Sequence, residues 1–257
     1  MEAMVISDFE YKYKWLLSEV LEHGVNSENR TGIATKKLFN QNIEINLNKG
    51  FPVVTGKKIF WEKALAEFYW IYSGRTDLEY LHAHNIFWWD NFAVENKLGK
   101  IYGYQIRNFN GHVDQIKYAI KEIKKGSRRA IITLWNPSEL DAQALPCCYT
   151  LLNFVEAGGD LNLIIHFRSS DLFLGLPYDI IFGALMLKTI SEQTGLKSHR
   201  LALNLADAHI YECHHEQIVK YLNTETFNLP SLSGSYAKGF ILNNYKHGPY
   251  IKSKLVL

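Results

Sequence analysis

Apolar residues recur at helical spacing near the start of the chain, where Tyr13, Leu16, Leu17, Val20 and Leu21 share one face and Gly24 follows. That spacing predicts a helix over 9–23. Residues 35–47 alternate instead, with Ile43, Ile45 and Leu47 on one side, and read as strand. Residues 60–73 are apolar and aromatic nearly all round, which predicts a buried helix stopped by Gly74. An amphipathic helix is expected over 113–125, closed by Gly126. Residues 130–135 read as a strand. Two more strands, 151–155 and 161–167, flank the turn Ala157-Gly158-Gly159-Asp160. A long apolar helix follows over 180–195, then a short strand over 201–205 and a polar helix over 211–222 that carries His214 and His215. The remainder is irregular with short strands. Strands that are grouped, and not strictly alternated with helices, argue for an α+β fold, a mixed sheet packed with helices. No linker-like segment, repeat or low-complexity run interrupts the pattern, so one domain over 1–257 is expected.

Composition narrows the class. The 257 residues are 47% hydrophobic and 21% charged, which excludes disordered and fibrous classes and allows a sizeable core. Lys and Arg number 28 against 26 Asp and Glu, a net charge of +2, so nothing draws the whole molecule to nucleic acid or an anionic membrane. Any anion site must be a local cluster. Cys147, Cys148 and Cys213 are too few, and two of them too close, for a disulfide framework. No CxxC or HExxH spacing supports a metal site. The first residues lack the apolar core of a signal peptide, and no stretch approaches about 18 consecutive apolar residues. A soluble protein of a reducing compartment, cytoplasmic, is the expectation.

Three clusters carry candidate chemistry. Ser127-Arg128-Arg129 offers paired guanidinium forks suited to phosphate oxygens, although alone it reads better as a solvated helix end. Ala144-Leu145-Pro146-Cys147-Cys148-Tyr149-Thr150 places cysteines beside a proline turn, as a nucleophile or as small buried hydrophobes. His166-Phe167-Arg168-Ser169-Ser170-Asp171, then Gly175-Leu176-Pro177-Tyr178-Asp179, gathers an arginine, hydroxyls and carboxylates ahead of a helix expected to begin near Asp179. Asp179 by itself reads equally well as an N-cap.

Taken in order, these clusters and the later Asp207-x-His209-x-Tyr211 resemble the thymidylate synthase family. Further matches are Arg30-Thr31-Gly32, Glu67 in Ala66-Glu67-Phe68-Tyr69-Trp70, Tyr80-Leu81-His82 through Trp89-Asp90, Tyr102-Gly103, Asp114-Gln115, and the end Pro249-Tyr250-Ile251-Lys252 with Leu255-Val256-Leu257. The similarity runs from about Arg30 to Leu257. It implies addition of a one-carbon unit from 5,10-methylenetetrahydrofolate to C5 of a pyrimidine deoxynucleoside monophosphate, with no metal. C5 is a poor nucleophile until a thiolate adds at C6. By resemblance that thiolate is Cys148, with Cys147 standing where the family has proline, and nearby arginines, Arg168 above all, are expected to favour it. The resemblance assigns phosphate binding to Arg30, Arg168 and Ser169, with Arg128 and Arg129 supplied by the other subunit of a homodimer formed through a sheet face. It assigns the ribose 3′-hydroxyl to His209 and Tyr211, water ordering and proton movement to Glu67, and removal of the C5 proton to Tyr102. Trp89, Leu145, Asp171, Gly175 and Leu257 are expected to hold the folate, with the tail excluding solvent. DNA and membrane partners are not implied.

Two positions depart from the thymidylate-forming pattern. Asp179 replaces Asn, and Tyr149 replaces the His that follows the cysteine. An Asn amide offers one donor and one acceptor, matching N3–H and O4 of uracil. Cytosine reverses that edge, and a neutral carboxyl can accept from N4–H and donate to N3. The family's phage deoxycytidylate hydroxymethylases carry Asp here. The expected substrate is therefore dCMP, and the expected product 5-hydroxymethyl-dCMP, in a setting such as phage DNA modification. Methylation of dCMP with release of dihydrofolate, and ordinary conversion of dUMP to dTMP, are the alternatives. Phe92 and Tyr104 stand where thymidylate-forming members often have Trp and Lys, which bears on folate packing. A silent nucleotide-binding homologue is disfavoured because Cys148, Glu67 and the four arginines are all present. A cysteine hydrolase is disfavoured because no oxyanion-type glycine loop is evident.

Overall fold

The computed structural model describes residues 8–256. In chain order the elements are α1 (Asp8–His23), β1 (Val25–Ser27), β2 (Thr35–Asn46), α2 (Trp61–Tyr72), α3 (Leu78–Ala83), α4 (Tyr102–Asn108), α5 (Gln115–Lys124), β3 (Ile131–Thr133), β4 (Tyr149–Ala157), β5 (Asp160–Phe167), β6 (Ser170–Asp171), α6 (Leu176–Thr194), β7 (Lys197–Tyr211), α7 (His215–Leu222), β8 (Ser231–Ser235) and β9 (Gly239–Asn243). Short 3₁₀ turns lie between some of them. The main sheet has seven strands in the order β1-β2-β7-β5-β4-β3, with β6 pairing to β7, while β8 and β9 form a separate hairpin. β5 and β7 run parallel and the flanking pairs antiparallel, so the sheet is mixed and the fold is α+β as expected.

Burial follows from the strand alternation. On β5, Leu161, Leu163, Ile165 and Phe167 are buried while the residues between them are only half-buried. α6 packs against this buried face, and Gly183 sets how closely: a Cβ added there would meet Ile165 Cδ1 at 2.9 Å and both Leu201 methyl carbons at 3.0 Å. α2 packs in turn against α6 and α4. The β4–β5 hairpin closes through Gly158 at φ +63° and Gly159 at φ +86°, a left-handed pair that glycine adopts without strain.

Several boundaries differ from expectation. β7 is 15 residues long, not the short strand 201–205. Its buried series Leu201, Leu203, Leu205 slips phase to Ala208 and Ile210, which hides the continuation from a strict period-two reading. Pairing with β2 carries it through, from Asn46 opposite Arg200 to Thr35 opposite Tyr211. The polar helix consequently begins at His215, after a 3₁₀ turn over Glu212–His214. α6 begins at Leu176, with Gly175 as its N-cap and Pro177 in its first turn, so Asp179 lies inside the helix and is not its cap. Proline already has the helical φ, which starts the helix earlier than the apolar periodicity does. α3 and α4 were not expected, being short and of mixed polarity, while β8 and β9 are short strands of the C-terminal part expected to contain them.

Glu10 ties the N-terminal helix to the loop that enters α2. Its buried carboxylate accepts from the Thr55 N–H and hydroxyl, from the Gly56 N–H at 2.7 Å and from the Tyr221 hydroxyl at 2.7 Å. Removing it leaves several buried donors without an acceptor. Glu10→Ala is expected to cost about 3–5 kcal/mol in a urea titration; a loss under about 1 kcal/mol would contradict the assigned network.

Candidate active site

A cavity of about 460 Å³ opens between α2, α6, the segment between α3 and α4 that carries Trp88 and Trp89, and the C-terminal tail. Glu67, Trp88, Trp89 and Tyr102 line one side, and Tyr149, Asp179 and Phe182 another. Asp171, Leu174 and Gly175 lie at the start of α6, and Tyr250, Ile251, Ser253 and Leu255 of the tail cover the cavity. The size and apolar lining suit a drug-sized flat ligand. The tail is held at several points. Gly248 N–H donates to the Thr55 carbonyl at 2.7 Å, Lys58 N–H donates to the Pro249 carbonyl at 3.1 Å, and His214 Nε2 lies 2.7 Å from the Lys254 carbonyl oxygen. Leu257 lies outside the described residues.

The cysteine pair separates by burial. Cys147 is fully buried, and burial pushes its thiol up to about 12. Cys148 is half-buried, and its Sγ lies 3.9 Å from Nη2 of Arg168. The backbone fixes this approach. The Arg168 N–H donates to the Cys148 carbonyl, and the guanidinium donates to the carbonyls of Cys147 at 3.0 Å and Pro146 at 2.7 Å. A register shift between Tyr149 and Leu151 follows directly, of the kind that re-aims side chains. The Cys148 N–H donates to the Tyr102 hydroxyl at 2.8 Å. Burial nevertheless raises the Cys148 thiol, with Arg168 pulling the other way. Arg168 and Arg30 favour the thiolate as expected, but desolvation is the larger effect.

Arg168 reaches past Cys148 to a shallow depression lined by Thr133, Trp135, Thr150 and Leu151, where its guanidinium lies 5.9 Å from the Trp135 ring centroid. β6 aligns Asp171 opposite His209, so Arg168, Ser169 and Asp171 arrive beside the end of β7. Ser169 Oγ is 3.4 Å from His209 Nδ1, which also contacts Asp207 Oδ1 at 2.9 Å. Tyr211 lies two residues on, its ring edge-on to His209 at 5.2 Å. Arg30 is exposed, and its charge is felt at both Cys148 and Tyr211. Arg128 and Arg129 are exposed beyond α5, and among the described residues neither lines the cavity nor contacts Arg168 or Cys148. Leu145 packs half-buried against the core, and the cavity lining does not include it. Phe92 packs behind Trp89 at 5.9 Å, and Tyr104 meets Lys100 at 5.3 Å; neither lines the cavity.

The wall around Asp179 is acidic and aromatic. Desolvation, with Glu67 and Asp171 nearby, holds the Asp179 carboxyl well above the ordinary carboxylate range. No side chain among the described residues donates to it. Gly175 is close on one side: a Cβ there would lie 3.2 Å from the Asp171 carbonyl and 3.9 Å from Asp179 Oδ2. Tyr149 stacks on Phe182 at 4.9 Å and packs on Tyr102 at 4.6 Å. Asp171 Oδ1 is occupied by the N–H groups of Phe173 at 2.9 Å and Leu174 at 3.3 Å.

Sequence reasoning missed three residues. Trp88 contacts Glu67, and the tandem Trp88-Trp89 was its only signal. Lys57 is buried on the cavity lining with its Nζ 3.6 Å from the Phe173 ring centroid, and burial lowers it to about 7. Tyr178 packs on Trp88 at 5.8 Å. Among the described residues, no group of His, Cys, Asp or Glu could hold a metal ion, and no helix is long and apolar enough to cross a membrane.

A thiol beside a guanidinium, a carboxylate held by indoles and an aromatic cavity closed by the chain's own tail together suit covalent addition to a flat, anionic substrate. A family model described as thymidylate synthase matches residues 11–257. The chain therefore belongs to the thymidylate synthase family, whose members transfer a one-carbon unit from methylenetetrahydrofolate to C5 of a pyrimidine nucleotide.

Proposed function

We propose that the nucleotide is dCMP and the product 5-hydroxymethyl-dCMP. The observation that carries this reading is Asp179, a desolvated carboxyl on the cavity wall with its pKa raised and no side-chain donor among the described residues. A protonated carboxyl accepts from cytosine N4–H through one oxygen and donates to N3 through the other. Against uracil, an ionised carboxyl would face O4 with like polarity, acceptor against acceptor. Such a buried mismatch costs about 1–3 kcal/mol.

Cys148 attacks C6 of the base, and the bond it forms makes C5 nucleophilic. Its thiol must first lose a proton, which Arg168 eases and burial opposes. C5 then bonds to the folate's methylene as one of its two carbon–nitrogen bonds breaks, and the second breaks as the C5 proton leaves, freeing tetrahydrofolate and an exocyclic methylene. Tyr102, hydrogen-bonded to the Cys148 backbone, assists departure of the C5 proton. Water adds to the exocyclic carbon, with Glu67 ordering it, and Cys148 leaves. Trp89, Asp171, Gly175 and the tail hold the folate, and the tail excludes bulk solvent. Arg30, Arg168 and Ser169 bind the phosphate, and His209 and Tyr211 bind the ribose. Arg128 and Arg129 complete the phosphate site of the other subunit in a homodimer. Exposed apolar residues Ile131, Trp135 and Val155, in or beside the sheet, support an interface there.

The test incubates the protein with methylenetetrahydrofolate and either dCMP or dUMP. A dCMP product heavier by CH2O, without dihydrofolate, is expected from mass spectrometry and absorbance. A dCMP product heavier by CH2, with dihydrofolate, would make the protein a cytidylate methylase. Turnover of dUMP alone would overturn the substrate reading.

A further inference from the structure

Glu67 is the one carboxylate of the cavity held by two indoles, and both act on the same oxygen. Trp88 Nε1–H donates to Oε1 at 2.8 Å, and Trp89 Nε1–H donates to the same atom at 2.6 Å. Oε2 accepts from no described residue. The two rings are held differently. Trp89 is buried against Trp70 at 5.9 Å and Tyr102 at 5.9 Å. Trp88 is half-buried on the cavity lining, between Tyr178 at 5.8 Å and Lys63, whose Nζ lies 5.8 Å from its ring centroid. Both rings line the cavity, but Trp89 is buried in the core and Trp88 only half-buried.

We propose that Trp88 is a positioning residue, which with Trp89 saturates Oε1 of Glu67 and leaves Oε2 as the single oxygen offered to the base and to the water that completes the reaction. The inference rests on the reading of Glu67 as the group that orders water and moves protons at C5. A carboxylate with both oxygens open can bind water in several geometries, whereas one with Oε1 filled by N–H donors presents a single acceptor in one direction. The donors also favour the ionised form. They oppose the burial that raises Glu67. The other titratable groups facing this carboxylate are Asp179 and Tyr178 of α6, Tyr149 of β4 and Tyr102 of α4; Lys63 of α2 stands over the Trp88 ring. Most are acids, so the indoles are the principal groups that favour the charged form.

The test is Trp88→Phe, which keeps an aromatic ring against Tyr178, though a smaller one, and removes the N–H donor. Glu67 is followed by carbon NMR titration of glutamate-labelled, ligand-free protein, a readout independent of which nucleotide is turned over. Its midpoint is expected to rise by roughly one pH unit, and the acid limb of kcat to move with it. At neutral pH kcat should fall about 10-fold, with KM for the nucleotide changed by less than about 3-fold. An unmoved midpoint overturns the proposal. A midpoint that moves while the acid limb stays also overturns it, and in that case the role given to Glu67 fails with it. Lack of turnover on dCMP, with the midpoint and acid limb shifted on dUMP, leaves Trp88 supported and sinks only the substrate reading. Should the variant misfold, the indole N–H resonances of the unmodified protein decide: those of Trp88 and Trp89 must titrate together with Glu67, and independence of Trp88 from that titration overturns the proposal.

Discussion

Cys148→Ser is expected to reduce turnover by at least about 10³-fold, while Cys147→Ser keeps activity within a few-fold of the unmodified protein. The two sulfurs are neighbours in sequence, but only one can reach a substrate. Cys147 points into the core, where its thiol is pushed to about 12 and is inert at neutral pH. The Cys148 thiol is half-buried and lies 3.9 Å from Arg168 Nη2, its backbone fixed through Tyr102 and Arg168. A serine hydroxyl there is far harder to ionise than a thiol and adds poorly to C6. In the core, burying the more polar serine hydroxyl is expected to cost about 1–3 kcal/mol of stability. Product formation checks the first effect and urea unfolding the second. Peptide mapping after alkylation should find Cys148 modified first. Loss of turnover in Cys147→Ser with retention in Cys148→Ser would reassign the nucleophile.

Asp179→Asn is expected to move preference from dCMP toward dUMP by about 10²- to 10⁴-fold in the ratio of kcat/KM values. Two hydrogen bonds at the base edge change sense, and each mismatch is worth about 1–3 kcal/mol. The pH dependence follows the same group. Asp179 has its pKa raised by burial and by Glu67 and Asp171, so the folded chain keeps a proton that the unfolded chain has lost. That favourable contribution is complete below the ordinary carboxylate pKa and is lost as pH rises through the raised value. Use of dCMP should therefore decline on the alkaline side as the acid ionises and loses its donor. The Asn variant should lack that decline. Competition between the two nucleotides across pH checks both statements, and an unchanged dCMP preference in the variant would defeat the account of base reading.

How much was legible in the sequence depends on the range of the interaction that decides each feature. The periodicity of 9–23, the all-round apolar run ending at Gly74 and the double glycine of the β4–β5 turn are local signals, and the structure follows them closely. The order of Arg30, Glu67, Cys148, Arg168, Asp179 and His209 was also visible, because these residues sit in short motifs. Boundaries decided by pairing were not. β7 continues past a phase slip because β2 lies beside it, and α6 starts at Leu176 because Pro177 favours its first turn.

The sequence by itself determined the α+β class, the residue types of the site and the family, since these rest on neighbours along the chain and on motif order. Tertiary structure alone decided which cysteine is buried, that Asp179 is no cap but a desolvated acid beside Glu67, and that Trp88 and Trp89 share one oxygen of Glu67. Burial and hydrogen bonding between segments set those properties, because desolvation depends on what surrounds a side chain from every direction, and spacing along the chain records only one of them.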